Sequence, residues 1–198
     1  MKSNTVTKEL FEECISIIIK SKKLVDKITD VAALIIECFN NGNKVIVFGN
    51  GGSAADAQHL AAEFVGRYKI ERKSLPCIAL TTDTSIITAL GNDYGFDYVF
   101  ARQCESIVRQ GDIVIAISTS GKSLNVVNGI STSKKHGALI IGLTGEIGGS
   151  LSKLSNIVLK VPSKSTPRIQ EVHRIILHII CAIVDEYYKK ERYVSNEK

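Results

Sequence analysis

The sequence contains no long hydrophobic run. Its longest apolar stretches, residues 15–19 and 175–184, are short or interrupted by polar side chains. Both fall below the ~20 apolar residues that a bilayer-spanning helix requires. The amino terminus also lacks a signal-peptide core and a small-residue cleavage site. We therefore expect a cytoplasmic protein without a membrane partner.

The sequence also lacks cysteine pairs and a basic stripe. Its five cysteines are scattered and have no CxxC spacing, which predicts reduced thiols rather than disulfides or an all-cysteine metal site. The net charge is +5, but lysine and arginine are dispersed among acidic residues and are not interleaved with aromatic ones. No nucleic acid partner is therefore expected. Mild positive charge would suit a phosphorylated substrate without demonstrating one.

The hydrophobic pattern alternates between two periods. Short apolar runs typical of strands buried on both faces are separated by stretches with helical spacing. The predicted strands are 44–48, 76–80, 112–117, 138–143 and 156–161. The predicted helices are 7–39 (one helix or two in succession), 53–66, 83–90, 97–110, 123–136, 149–154 and 168–190. This alternation predicts an α/β fold, a three-layer αβα sandwich with a five-stranded parallel sheet.

No linker and no internal repeat divides the chain. We therefore predict a single domain over residues 1–198, with long N- and C-terminal helices. Its parts are a helical extension at about 7–40, a sheet-containing core at about 44–162 and a last helix at about 168–190.

The loop after the first predicted strand favours an anion. It reads Gly49-Asn50-Gly51-Gly52-Ser53. Glycines allow a tight turn and close approach of a ligand, and Ser53 is predicted to cap the following helix. Free N–H groups at a helix start attract anions.

The same loop leaves a second interpretation open. Gly49-x-Gly51-x-x-Ala54 also satisfies the relaxed dinucleotide fingerprint. That fingerprint needs an acidic residue ~20 residues on, whereas the nearest candidate, Asp83, lies about 30 residues on. Nicotinamide binding is therefore an alternative on this loop alone.

A second polar loop follows the third predicted strand. It consists of Ser118, Thr119, Ser120, Gly121, Lys122 and Ser123. A helix cap would need one hydroxyl, but four are present where parallel strands end and ligands bind. Hydroxyls and backbone N–H groups together suit a phosphate, and a dinucleotide fold does not require this loop.

Polar residues at helical spacing supply candidate chemistry. His59 and Glu63 lie four residues apart, so they project from one face of a helix. Such a pair can bind a metal, exchange protons, or be a surface ion pair. The last predicted helix carries Gln170, His173 and His178.

Five segments together resemble the sugar isomerase (SIS) domain, and within it the phosphoheptose isomerase family. They are Gly-Asn-Gly-Gly-Ser (49–53), Gly-Asn-Asp-Tyr-Gly-Phe (91–96), Ile-Ser-Thr-Ser-Gly (117–121), Leu-Thr-Gly (143–145) and Arg-Ile-Gln-Glu-Val-His (168–173). The similarity covers nearly the whole chain, in the family's order and spacing. One departure is Pro167, which stands where some relatives carry an acid.

The resemblance implies a reaction and a set of site residues. The reaction would convert sedoheptulose 7-phosphate, a phosphorylated seven-carbon sugar, to D-glycero-D-manno-heptose 7-phosphate, the first step of nucleotide-activated heptose biosynthesis. Glu63 and His178 would be the acid–base pair that moves a proton through an enediol, without a nucleotide cofactor. One zinc ion would be held by His59, Glu63, Gln170 and His178. The substrate would be bound by Asn50, Gly51, Gly52, Ser53, Glu63, Asn92, Asp93, Ser118, Thr119, Ser120, Ser123 and Gln170.

Several alternatives remain at this point. Asp93 is either a ligand of sugar hydroxyls or only a turn residue. A non-catalytic scaffold that associates with a replication initiator shares both loops but replaces the residues matching Glu63 and His178. A sugar-phosphate sensor of a transcription regulator would need a DNA-binding module, which we do not find before Lys44.

Assembly is the last expectation. The first and last helices carry more apolar surface than one sandwich can cover, which predicts a homo-oligomer. The residues of these stripes are Ile17, Ile18, Leu24, Ile28, Ile175, Ile179 and Ile183. The family resemblance favours a tetramer with active sites at subunit boundaries.

Overall fold

The computed structural model describes residues 2–195, with side chains from residue 4 to residue 189. The helices are α1 (Lys2–Ser21), α2 (Val25–Asn40), α3 (Gly52–Val65), α4 (Thr84–Asp93), α5 (Val99–Ile107), α6 (Leu124–Lys135), α7 (Gly149–Leu154) and α8 (Thr166–Ser195). The strands are β1 (Val45–Gly49), β2 (Cys77–Ala79), β3 (Ile113–Ile117), β4 (Leu139–Thr144) and β5 (Ile157–Lys160).

The five strands form one parallel sheet in the order β2-β1-β3-β4-β5. This confirms the predicted α/β sandwich. The chain leaves β1 toward β2 on one side and returns to β3 on the other, so the strand order reverses at β1. Gly49 pairs with Ile117 at the carboxyl ends of these strands. The two predicted ligand loops are therefore neighbours at the switch point, where such sheets bind ligands.

Alternate residues of β1 divide the core between the two faces of the sheet. Val45 and Val47 belong to a cluster with α2, α3 and α8. Ile46 and Phe48 belong to the cluster formed with α5 and α6. In that second cluster Phe48 stacks on Phe100 with a centroid separation of 4.9 Å. Because both faces are covered, the strand has no polar side and reads as a continuous apolar run.

Helix boundaries differ from the predictions where local chemistry intervenes. Residues Lys22–Leu24 form a 3-10 turn that separates α1 from α2. Asp83 caps α4, since its side chain accepts a hydrogen bond from the Ile86 amide at 2.9 Å. Helix α8 begins two residues before the prediction, because Pro167 lies in the first turn, where a missing N–H costs no helical bond.

Two expectations from composition can be compared with the structure. All five cysteines are free, and four of them are buried. No helix within the described residues is both long and apolar enough to cross a bilayer. The cytoplasmic location and the single-domain assignment stay predictions.

Candidate active site

Helices α3 and α8 bring together three of the predicted site residues. His59 and Glu63 lie one turn apart on α3, with 3.1 Å between His59 Nε2 and Glu63 Oε1. His178 comes from α8, and its Nε2 lies 2.8 Å from His59 Nε2. The spacing on α3 was readable in the sequence, whereas the approach of α8 is a product of the fold.

The donor set of this triad fits a zinc ion. One ligand atom from each of His59, Glu63 and His178 lies within 4.8 Å of the others, and all three residues are half-buried. Two imidazoles and a carboxylate are the ligands of many catalytic zinc sites, which leave a position open. Burial lowers the pKa of His59, and the nearby Arg174 charge lowers it further, so its ring is neutral and able to bind a metal.

The first loop approaches strand β3 and helix α8 closely. A Cβ at Gly49 would lie 2.7 Å from the Ile117 carbonyl oxygen, so a side chain there would displace β3. Gly51 adopts a φ of 55°, which favours glycine. A Cβ at Gly52 would lie 2.4 Å from Gln170 Nε2, so the Gln170 carboxamide lies at this loop. Its role as a fourth metal ligand stays a prediction.

Two residues of this loop have surroundings that the sequence did not predict. The prediction that Ser53 caps α3 is wrong, because Gly51 is the capping residue and no side chain accepts there. Ser53 is instead buried in the first turn. Asn50 exchanges two hydrogen bonds of 2.9 Å with Asn125, so its carboxamide is fixed against α6.

The hydroxyls of the second loop divide into two roles. Ser118 is buried, its Oγ accepts from the Gly121 amide at 3.1 Å, and it lies 3.2 Å from Ser123 Oγ. Ser120 is exposed, and its Oγ accepts from the Lys122 amide. Although Ser123 precedes α6, its side chain makes no capping bond.

Thr119 is half-buried, and its carbonyl accepts from the Gly145 amide at 3.0 Å. Gly121 has a φ of 66°, and a Cβ there would lie 2.0 Å from the Gly148 carbonyl oxygen. The segment after β4 therefore packs against this loop and fixes its backbone. Cap formation does not account for its hydroxyls.

Comparison with known proteins fits this geometry. The sequence model of the SIS domain matches residues 11–145. A phosphoheptose isomerase of Aneurinibacillus thermoaerophilus is 50% identical over 178 residues, which cover 90% of each chain. The solved phosphoheptose isomerases of Neisseria gonorrhoeae and Francisella tularensis are 40% and 37% identical, with TM-scores of 0.88 and 0.91. Each of those alignments covers 94% of this chain and 100% of the other.

The chain belongs to the phosphoheptose isomerase family. It is therefore a sugar-phosphate isomerase rather than a dehydrogenase or a non-catalytic scaffold, as the loops and the Glu63–His178 pair indicated. The isomerase resemblance drawn from the sequence is confirmed.

Three residues beside the triad were not singled out from the sequence. Asp56 is buried on α3, and its Oδ1 pairs with Arg174 Nη2 of α8 at 2.6 Å. Burial raises the pKa of Asp56, while Arg174 opposes that rise. Tyr68 stacks on His178, with ring centroids 5.3 Å apart. Helical spacing could have found the first two, since Asp56 precedes His59 by three residues and Arg174 precedes His178 by four.

Asn92 and Asp93 end helix α4 and are exposed. Asn92 donates to Asp93 Oδ1 at 2.8 Å. Among the described residues, no hydrogen bond joins this pair to the triad or to either loop. Their contact with substrate in this phosphoheptose isomerase family member therefore stays a prediction.

Proposed function

We propose that this enzyme interconverts sedoheptulose 7-phosphate and D-glycero-D-manno-heptose 7-phosphate by proton transfer through an enediol, as the first step of nucleotide-activated heptose biosynthesis. The observation that carries the proposal is the convergence of Glu63 and His178. The reaction needs one group that removes a carbon-bound proton and one that exchanges the oxygen protons, and a carboxylate and an imidazole can serve in these roles. The reaction requires no nucleotide cofactor.

The ketose-to-aldose direction moves two kinds of proton. In this proposal the Glu63 carboxylate removes a proton from C1 while the carbonyl oxygen on C2 gains one, which gives the enediol. Return of a proton to C2 and loss of the proton on O1 then produce the aldose. His178 holds the oxygen protons during both steps, because an imidazole exchanges protons near neutral pH.

The proposed zinc ion would be held by the triad, with Gln170 as a further candidate ligand. When bound, it would supply Lewis-acid polarisation of the sugar oxygens. Glu63 has two carboxylate oxygens, and Oε1 is the one that lies 3.1 Å from His59. One carboxylate oxygen would contact the metal and the other would act as the base, and the metal contact would lower the basicity of that carboxylate.

The second loop is the proposed phosphate site. In this proposal the hydroxyls of the exposed Ser120 and the half-buried Thr119 would bind the phosphate, together with Ser118 and Ser123. Ser118 also holds the loop, because its Oγ accepts from the Gly121 amide. The first loop lies beside it across the Gly49–Ile117 pair and would orient the sugar. In this way the phosphate would anchor the substrate while the triad acts at its other end.

The direct test is incubation of the purified, zinc-supplemented protein with sedoheptulose 7-phosphate, followed by NMR. We expect formation of the aldose 7-phosphate without any nucleotide. In D2O, deuterium at C2 of the product would support proton transfer through the enediol. Sedoheptulose without phosphate should react far more slowly, because it cannot use the second loop. Absence of conversion of the phosphorylated sugar would contradict the proposal.

A further inference from the structure

A buried ion pair joins the segment after α3 to helix α8, next to the triad. Arg72 Nε donates to Asp185 Oδ1 at 2.8 Å, and each side chain is 1% exposed. Arg72 belongs to the irregular segment between α3 and β2, and Asp185 lies two turns beyond His178 on α8. Burying two charges carries a large desolvation cost, so such a pair is weak evidence of a gain in stability.

The other Arg72 donors bind the carboxyl end of α3. Its Nη2 donates to the Glu63 carbonyl oxygen at 2.7 Å, and its Nη1 donates to the Phe64 carbonyl at 2.8 Å. Nη1 also approaches the carbonyls of Gly66 and Lys73. The last carbonyls of a helix have no partner within the helix. Arg72 therefore fixes the helix turn that carries the Glu63 side chain.

The second oxygen of Asp185 acts on the segment that contacts His178. Asp185 Oδ2 accepts from the Lys69 amide at 2.7 Å and from the Ile70 amide at 3.0 Å. These bonds set the backbone next to Tyr68, whose ring stacks on His178 at an interplanar angle of 30°. One carboxylate on α8 thus places an aromatic ring against an imidazole of the same helix.

We propose that Asp185, Arg72 and Tyr68 form a positioning unit that sets Glu63 and His178 relative to each other. The inference deepens the proposed function, since it assigns residues that act through the acid–base pair without touching substrate. Arg72 acts on Glu63 through the backbone, Tyr68 acts on His178 through ring stacking, and Asp185 links the two. A residue that only stabilises the fold has no need to contact the triad, whereas this unit contacts it at both Glu63 and His178.

The chain contains a matched control for this unit. Asp112 is likewise buried and pairs with Lys44 Nζ at 2.7 Å. Its carboxylate also accepts from the backbone amides of Lys44 and Arg109. This pair lies at the amino ends of β1 and β3, the opposite edge of the sheet from the loops. The Lys44 side chain is 23% exposed, so Asp112 is matched to Asp185 as a buried carboxylate with two amide donors, and loss of its charge tests that effect away from the triad.

The first experiment changes only the stacking ring. Tyr68→Phe keeps an aromatic ring on His178, whereas Tyr68→Leu removes it. In NMR spectra, the ring protons of His178 should keep their upfield ring-current shift in Tyr68→Phe and lose it in Tyr68→Leu. For Tyr68→Leu we expect kcat to fall by about tenfold and zinc affinity to weaken by about tenfold, with KM changed by less than about threefold. Equal kcat, zinc affinity and His178 shifts in the two variants would overturn the role of Tyr68.

The second experiment compares Asp185→Asn with Asp112→Asn. Both should lower the unfolding temperature, because each change removes a buried carboxylate from a paired cation and from two backbone amides. Only Asp185→Asn should shift the His178 ring protons, weaken zinc binding and lower kcat. Identical behaviour of the two folded variants would overturn the proposal. If Asp185→Asn does not fold, the Tyr68 variants decide it.

These readouts separate the positioning unit from the reaction itself. A wild-type protein that fails to convert the phosphorylated heptose would contradict the proposed function. The ring-proton shifts of His178 and the zinc affinity would still report whether Asp185 and Tyr68 set the triad.

Discussion

The Nε2 atoms of His59 and His178 lie 2.8 Å apart, although 119 residues separate them in the sequence. Two neutral imidazoles cannot both point a lone pair at each other without repulsion, so one proton or one cation must lie between these nitrogens. Glu63 Oε1 lies 3.1 Å from the same atom of His59 and completes the set. The arrangement therefore suits both a metal and a proton relay.

The first prediction concerns the general base. Glu63→Gln keeps the size of the side chain but removes the basic carboxylate, so turnover of sedoheptulose 7-phosphate should fall by ~10²-fold or more. Circular dichroism and the unfolding temperature should remain close to wild type. Glu105→Gln is the control, because Glu105 pairs with Arg102 on the exposed face of α5. Wild-type turnover in Glu63→Gln would show that another group removes the proton.

The second prediction concerns the phosphate loop. Ser120→Ala should weaken binding of the phosphorylated sugar by roughly 1–2 kcal/mol, the value of a charge-assisted hydrogen bond. The change should leave stability nearly unaltered, since Ser120 is exposed. Ser118→Ala should instead lower stability, because its buried Oγ accepts from the Gly121 amide. Isothermal titration of wild type and Ser120→Ala with sedoheptulose 7-phosphate measures the change in affinity. Equal affinity of wild type for sedoheptulose with and without phosphate would contradict a phosphate site.

The sequence predicted the sheet because its strands are buried on both faces and read as continuous apolar runs. The end of helix α4 was harder to predict, since this helix buries no side chain fully. His59 and Glu63 were found from their spacing on one helix, whereas His178 was assigned by family resemblance. Contacts across the segment between α3 and β2 escaped prediction, because an irregular segment has no period that relates Tyr68 to His178 or Asp185 to Lys69.

The third prediction concerns His173, which is completely buried. Among the described residues, neither ring nitrogen has a partner at hydrogen-bond geometry, although the Thr144 backbone lies near enough to oppose the pKa shift weakly. Burial dominates and lowers the pKa of His173 to about 4. The unfolded chain protonates this histidine near pH 6.5, so it binds more protons than the folded chain between pH 6.5 and about 4. Stability should therefore fall as pH falls through that window, by on the order of 3 kcal/mol.

Chemical denaturation of wild type and His173→Leu at several pH values measures this effect. The leucine variant has no group to protonate there, so its stability should depend less on pH between 6.5 and 4. Asp56 titrates in both proteins and cancels in the comparison. Parallel pH profiles of the two proteins would mean that folding does not lower the pKa of His173.

The last prediction concerns assembly, and the structure corrects the surface on which it rests. Leu24 and Ile28 were expected to face a partner, and this expectation is wrong. Each is 5% exposed, so both are covered within the chain. Ile179 is 41% exposed and lines an apolar groove with Ile18 and Val25 between α8 and the first two helices. We still expect this groove to pack against a second copy, with a neighbouring chain lining the cleft that holds Glu63.

Ile179→Glu should place a charge in that contact and dissociate the assembly, since burying an unpaired carboxylate is costly. Activity should be lost together with the oligomer, because each cleft would then lack its neighbouring chain. Ile86→Glu is the matched control, as Ile86 is 39% exposed on α4, outside the groove, and its variant should stay assembled. Size-exclusion chromatography with light scattering, combined with the isomerase assay, measures both properties. A fully active Ile179→Glu monomer would show that one chain holds a complete site.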